Sequence, residues 1–109
     1  MIKLRYYLTG VDKSPFEEWF SGLDTLEAAK VSVALVRLER ANFSNAKAVG
    51  EGVLEFKINW GSGYRVYFGR DGDVLVILLT GGIKKGQQRD IDTAKMLWAD
   101  YKRRRPRPK

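Results

Sequence analysis

The chain has 109 residues, 44% of them hydrophobic and 12% aromatic, which supports the core of one domain rather than two. It contains no cysteine and no histidine, so disulfides, thiolate or imidazole metal sites and every mechanism built on a histidine base are excluded. Its net charge of +7 and isoelectric point near 9.8 point to a polyanionic partner, either nucleic acid or an acidic protein.

Ile2, Leu4, Tyr6 and Leu8 alternate with polar residues, which predicts a first strand rather than a signal peptide. No apolar run is long enough to span a bilayer, so no membrane partner is expected, and the lack of cysteine fits a cytoplasmic protein. Ser14-Pro15-Phe16-Glu17 is a helix start: serine caps, proline fits the first helical position and Glu17 stands where a capping box needs it. Phe16, Trp19 and Phe20 give this short helix an apolar side, and Gly22 ends it. Asp24 with Glu27 opens a second helix that runs to about Ala41. Leu26, Ala29, Val33, Leu35, Val36 and Leu38 are its expected packing face. The two helices form an α-hairpin around Gly22-Leu23.

Asn42 to Gly52 has no clear period and reads as a loop. Val53–Trp60 and Tyr64–Gly69 form a β-hairpin around Gly61-Ser62-Gly63. Asp71-Gly72 is a second tight turn, and the apolar run Val74–Leu79 is a strand buried on both faces. Thr80–Gly86 reads as a glycine-rich basic loop. A last helix starts at Gln87 or Gln88 and ends near Lys102, with Ile91, Ala94, Leu97, Trp98 and Tyr101 as its stripe. The expected fold is α+β in the order β-α-α-β-β-β-α: an antiparallel sheet of about four strands, an N-terminal α-hairpin on it and a C-terminal helix. The first strand joins at a sheet edge or beside the last strand. One domain covers 1–102, and 103–109 form a basic, extended tail.

Three places can carry chemistry. Alternation puts Leu54, Phe56 and Ile58 on the core face of the hairpin with Tyr64, Val66 and Phe68. Glu55, Lys57, Asn59, Arg65 and Tyr67 share the other face. There Arg65 can grip a phosphate bidentately, Lys57 adds a point charge, Tyr67 stacks or donates, and Glu55 is a candidate general base. The same face also reads as a solvated surface of cross-strand ion pairs. Lys84 and Lys85 sit before a helix start, where an anion fits; a plain connection with solvated lysines fits equally. The spacing is not that of a P-loop. The arginine-rich tail suits either nucleic acid or solvent. Trp19, Phe20 and Trp98 fall on apolar helix stripes and read as core. The carboxylates Asp71, Asp73, Asp90 and Asp92 make no convincing metal site, so no metal and no cofactor are expected.

Gly52-Val53-Leu54-Glu55-Phe56-Lys57, Gly63-Tyr64-Arg65-Val66-Tyr67-Phe68 and Gly81-Gly82-Ile83-Lys84-Lys85-Gly86-Gln87-Gln88-Arg89-Asp90-Ile91 together resemble the RelE/ParE toxin superfamily. Within it the chain looks like the HigB-like, phage Gp49-like addiction module killer branch. The resemblance runs from the first strand to Tyr101. It implies a RelE-like small domain and the toxin of a type II toxin–antitoxin pair. Such a toxin cleaves mRNA on the ribosome without metal and inhibits translation, and its antitoxin is a helix-turn-helix, HigA-like protein. Carried over by position, Arg65 matches the phosphate-contacting arginine and Lys57 a basic strand position. Glu55 and Tyr67 belong to the pattern of the group. Lys84, Lys85, Gln88 and Arg89 belong to the RNA- and phosphate-binding loop. Many RelE-type relatives keep a Tyr or His near the C-terminus as acid or base; this chain has no histidine, and Tyr101 falls on a helix stripe. The resemblance therefore also admits a ParE-like, non-enzymatic inhibitor of DNA gyrase, and the charge alone admits a simple RNA-binding module.

Overall fold

A computed structural model describes residues 1–105. The elements are β1 (Lys3–Tyr6), α1 (Pro15–Ser21), α2 (Thr25–Glu39), β2 (Ala46–Gly50), β3 (Val53–Ile58), β4 (Tyr64–Arg70), β5 (Leu75–Ile83) and α3 (Gln87–Arg104). The helix starts follow their local chemistry. Ser14 Oγ accepts from the Glu17 N–H at 3.0 Å with Pro15 in the first turn of α1. Asp24 and Glu27 close a full capping box on α2, each side chain taking the other's backbone N–H at 2.8 Å.

The sheet has five strands in the order β1-β5-β4-β3-β2. β1 runs parallel to β5, and the other pairs are antiparallel. This corrects the expected four-stranded antiparallel sheet in two ways. The first strand, at an edge and beside the last strand as expected, pairs with it in parallel, and a fifth strand, β2, occupies part of the segment read as a loop. β2 is short, rich in small residues and pairs on one side only, so the alternation that marks a half-buried strand is missing. β5 is also longer than expected. Thr80–Ile83, read as loop because of its glycines, continues the strand opposite β4.

The sheet is covered on both faces. On one side α1 and α2 close a core of Phe16, Val31, Leu38, Phe56, Val66, Phe68, Val76 and Leu78. On the other, α3 packs Ile91, Ala94 and Trp98 on Val53, Tyr67, Ile77 and Leu79. The hairpin partition of apolar residues follows the expected alternation, with Leu54 opposite Phe68, Phe56 opposite Val66 and Ile58 opposite Tyr64. α2 meets the sheet with a face that matches the expected one only in part: Leu38 is buried and Leu35 packs on the core as expected, Val31 and Ala34 are buried beside them, and Leu26, Val33 and Val36 are 59%, 52% and 45% exposed.

Glycines set how close the helices come. A Cβ on Gly69 would lie 2.5 Å from the Trp98 ring, and one on Gly81 would lie 2.2 Å from that of Trp19. Both indoles therefore lie directly on bare backbone. α3 is tied at its far end by Tyr7 Oη donating to Asp100 Oδ2 and Tyr101 Oη donating to Asp71 Oδ2, both at 2.6 Å. It runs to Arg104, so the first residues of the expected tail are helical, and Arg105 pairs with Asp71 at 3.0 Å. Of that tail, residues 106–109 lie outside the described residues. No helix among the described residues is long and apolar enough to cross a membrane.

Candidate functional site

Pairing across β2, β3, β4 and β5 lines up two rows on the α3 face. One is Lys47, Glu55, Tyr67 and Thr80; the next is Lys57, Arg65 and Gly82. The irregularity in β5 between the partners of Tyr67 and Phe68 keeps these rows in phase. Paired residues sit side by side, so four of the expected site residues are neighbours by register alone.

Their environment is not the open polar surface that alternation suggested. Glu55 and Tyr67 are fully buried and Arg65 is 4% exposed, because the first turn of α3 closes over them. Gln87 Nε2 donates to Glu55 Oε2 at 2.9 Å. Arg65 Nε lies 3.6 Å from Glu55 Oε1, and Lys47 Nζ approaches the same oxygen at 3.9 Å. The carboxylate is thus held between a guanidinium, an amine and an amide. Arg65 is fixed a second time, by Nη1 donating to the Gly63 carbonyl at 2.8 Å. Glu55 Oε1, Arg65 Nε and Tyr67 Oη have no hydrogen-bond partner among the described residues.

Burial pushes the Tyr67 phenol well above its ordinary range, and the adjacent Glu55 charge pushes it further. The phenol lies beside that carboxylate outside good hydrogen-bond geometry, so charge and desolvation account for the shift. Tyr67 stays protonated at neutral pH and keeps its O–H available as a donor.

Arg65 Nη2 is the free end of the guanidinium: it makes no hydrogen bond among the described residues and is not one of the fully buried unpartnered atoms. Exposed cations flank this nearly buried side chain. Lys57 is exposed directly across from Arg65. Lys84 is exposed and packs at Gly63, where a Cβ would meet both Arg65 Nη1 and Lys84 Cβ at 3.3 Å. Lys85 and Arg89 line an open groove of about 640 Å³ at the β5–α3 junction, together with Trp19, Gly81, Gly82, Ile83, Gly86 and Asp90. Gln88 is turned away and hydrogen-bonds Asp92 at 3.0 Å along the helix surface.

The fold therefore brings Glu55, Arg65 and Tyr67 into one buried cluster and places Lys57 and Lys84 at its mouth. Lys85 and Arg89 stand on the adjoining groove, and Gln88 joins neither. Lys47, Gln87 and Asp90 were not anticipated as site members. Lys47 was hidden in the segment without a period. Gln87 carried a signal in its place at the helix start, where a side chain can reach back over the sheet. Asp90 was weighed only among the carboxylates that make no convincing metal site.

The pattern of the phage-derived Gp49-like proteins matches residues 18–99, which spans both hairpin strands, β5 and most of α3. The chain belongs to the Gp49-like family. An uncharacterized protein of Haemophilus influenzae is 46% identical over 83 residues, covering 75% of this chain and 84% of the relative. The Gp49-like family is associated with the toxins of toxin–antitoxin pairs. Membership thus spans all the residues of the buried cluster and its basic rim.

Proposed function

We propose that this Gp49-like protein is the toxin of a type II toxin–antitoxin pair, acting as a metal-independent, ribosome-dependent mRNA endoribonuclease of the RelE/ParE, HigB-like kind. The observation that carries the reading is Arg65, whose guanidinium is held by Glu55 and the Gly63 carbonyl, has an Nη2 without a hydrogen bond among the described residues, and is flanked by the exposed Lys57 and Lys84. A preorganised guanidinium next to mobile amines suits a scissile phosphate that gains charge when a 2′-hydroxyl attacks it. Glu55 is too deep to meet RNA while Gln87 covers it. In this reading it holds Arg65 in place, and it becomes a base only if the first turn of α3 moves aside; a lysine amine at the mouth is the other proton acceptor. Tyr67 contributes a neutral, unpartnered hydroxyl beside Glu55. Lys85 and Arg89 guide the neighbouring phosphates. The partner is a cognate antitoxin, expected to be a helix-turn-helix, HigA-like protein whose acidic surface complements the basic rim.

The test is inducible expression with mapping of mRNA ends on polysomes, comparing the wild type with a Lys57→Ala, Lys84→Ala, Lys85→Ala triple variant. All three lysines are exposed, so the fold is left alone. The expected result is growth arrest with new mRNA ends in the wild type and loss of both in the variant. Removing even one well-placed donor typically costs about 10²–10³ in rate. Arrest with intact polysomal mRNA, and above all arrest with DNA damage, would replace this reading with gyrase inhibition.

A further inference from the structure

We propose that the groove at the free edge of β5, between Trp19 and Asp90, is a guanine-binding subsite that selects the RNA sequence presented to the Arg65 site. The choice of RNA as ligand rests on the function proposed above; the groove itself stands on four separate observations.

The first is an open edge. β1 pairs with β5 only as far as Tyr6 opposite Leu78, with the Tyr7 N–H reaching the Leu78 carbonyl at 2.9 Å. From Leu79 to Ile83 no strand among the described residues covers that side, so backbone donors and acceptors face the groove. The second is the pair Gly81-Gly82. A Cβ on Gly82 would lie 2.0 Å from Asp90 Oδ2, just as one on Gly81 would strike Trp19. Two adjacent glycines inside a strand weaken it, and here they let an indole and a carboxylate press against the backbone from opposite faces of the sheet.

The third is Asp90. Its side chain accepts no hydrogen bond and makes no ion pair within 4.0 Å among the described residues, although Arg89 is its neighbour in the chain. It is half-buried, lines the groove and is not sealed off. Burial raises its pKa above the ordinary carboxylate value, and the charge of Arg89 offsets part of that rise. The fourth is the rim: Lys85 and Arg89 line the same groove, and Gly82 is directly opposite Arg65 across the β4–β5 pair. A base held here would have its phosphates among cations that lead to the Arg65 mouth.

An indole wall, free backbone groups and an unpaired carboxylate are the means by which proteins read an unstacked base on its Watson–Crick edge. The carboxylate sets the identity. Guanine offers it two adjacent N–H donors, on N1 and the exocyclic amine, which match its two oxygens. Uracil offers one N–H between two carbonyls, which the carboxylate repels. The groove volume of about 640 Å³ leaves ample room for a purine.

The test is NMR on the intact labelled protein, following the Trp19 indole N–H (assigned with Trp19→Phe) and the Gly81 and Gly82 amides. The probes are the pentaribonucleotides UUGUU and UUUUU. The expected result is a shift of these signals by UUGUU at an affinity at least about tenfold above that of UUUUU, with the preference abolished in Asp90→Asn. Equal binding of the two RNAs, a preference that survives Asp90→Asn, or shifts that spare these three groups would overturn the proposal; the last would hand the open edge to another occupant, such as an added peptide strand. The two levels separate cleanly. Guanine-selective binding here without mRNA cleavage keeps the subsite and removes the nuclease reading. Cleavage that shows no guanine preference removes the subsite alone.

Discussion

Gln87, in the first turn of α3, donates from Nε2 to Oε2 of the fully buried Glu55 in β3 at 2.9 Å. That bond joins the end of the chain to the hairpin and closes the polar cluster against water. Gln87→Ala leaves a buried carboxylate oxygen without its donor, which costs about 1–3 kcal/mol. Gln87→Glu costs more, since two carboxylates then share the site. Urea denaturation should show a lower midpoint with an unchanged slope in both variants.

Arg65 balances the charge of Glu55, so its removal acts on the fold as well as on RNA. Arg65→Ala strands a buried carboxylate and is expected to cost about 3–5 kcal/mol. Combining it with Glu55→Leu removes the stranded charge and should restore most of that loss. A double-mutant cycle in urea measures the coupling. The double variant, folded yet lacking the guanidinium, should neither arrest growth nor cleave mRNA.

Two glycines accommodate tryptophans. Gly69→Ala drives a methyl into Trp98 and Gly81→Ala drives one into Trp19, at 2.5 and 2.2 Å. Each is expected to destabilise by about 1–3 kcal/mol, roughly 4–8 °C in Tm per kcal/mol for a domain of this size. Gly10→Ala, which meets nothing within 4 Å, is the control. Trp98→Leu should relieve part of the Gly69→Ala defect but none of the Gly81→Ala defect.

Two acids on α3 make opposite contributions as the pH changes. The Tyr7 hydrogen bond, helped by Arg104, holds the Asp100 carboxyl below its usual range against a smaller opposing effect of burial. Its stabilisation is complete above the unfolded carboxylate range, about pH 3.9, and is lost as the pH falls through the folded value. Asp90 is raised by burial, so its cost is absent in acid and grows as the pH rises through the folded value. Urea midpoints followed from about pH 3 to pH 7 should show Asp100→Asn losing stability most at neutral pH. Relative to wild type, Asp90→Asn should gain stability as the pH rises.

Much of the fold was legible because it depends on neighbours in the chain. The caps at Ser14 and Asp24, the hairpin around Gly61-Ser62-Gly63 and the α3 stripe of Ile91, Ala94 and Trp98 follow from local chemistry and spacing. α2 shows where this stops. Apolar residues lie on more than one of its sides, so Leu26, Val33 and Val36 stand at helical spacing from one another just as Val31 and Ala34 do with the buried Leu38. Only the way α2 meets the sheet selects Val31 and Ala34 as the partners of Leu38. Trp19 shows a related limit: it packs on the core as its stripe predicted, yet it also walls an open groove.

The candidate site divides along the same line. Sequence by itself determined which groups share a strand face, because side chains alternate and the hairpin turn sets the register: Glu55 beside Tyr67, and Lys57 beside Arg65. It also determined what chemistry is possible, since a chain without histidine or cysteine has only carboxylates, amines, guanidinium groups and phenols to use. Tertiary structure decided what that face meets. α3 lies across it and takes Glu55 and Tyr67 out of water. The parallel addition of β1 stops at Leu78 and leaves the groove beside Gly81 and Gly82 uncovered. Both outcomes arise from contacts between residues far apart in the chain, and no local spacing encodes them.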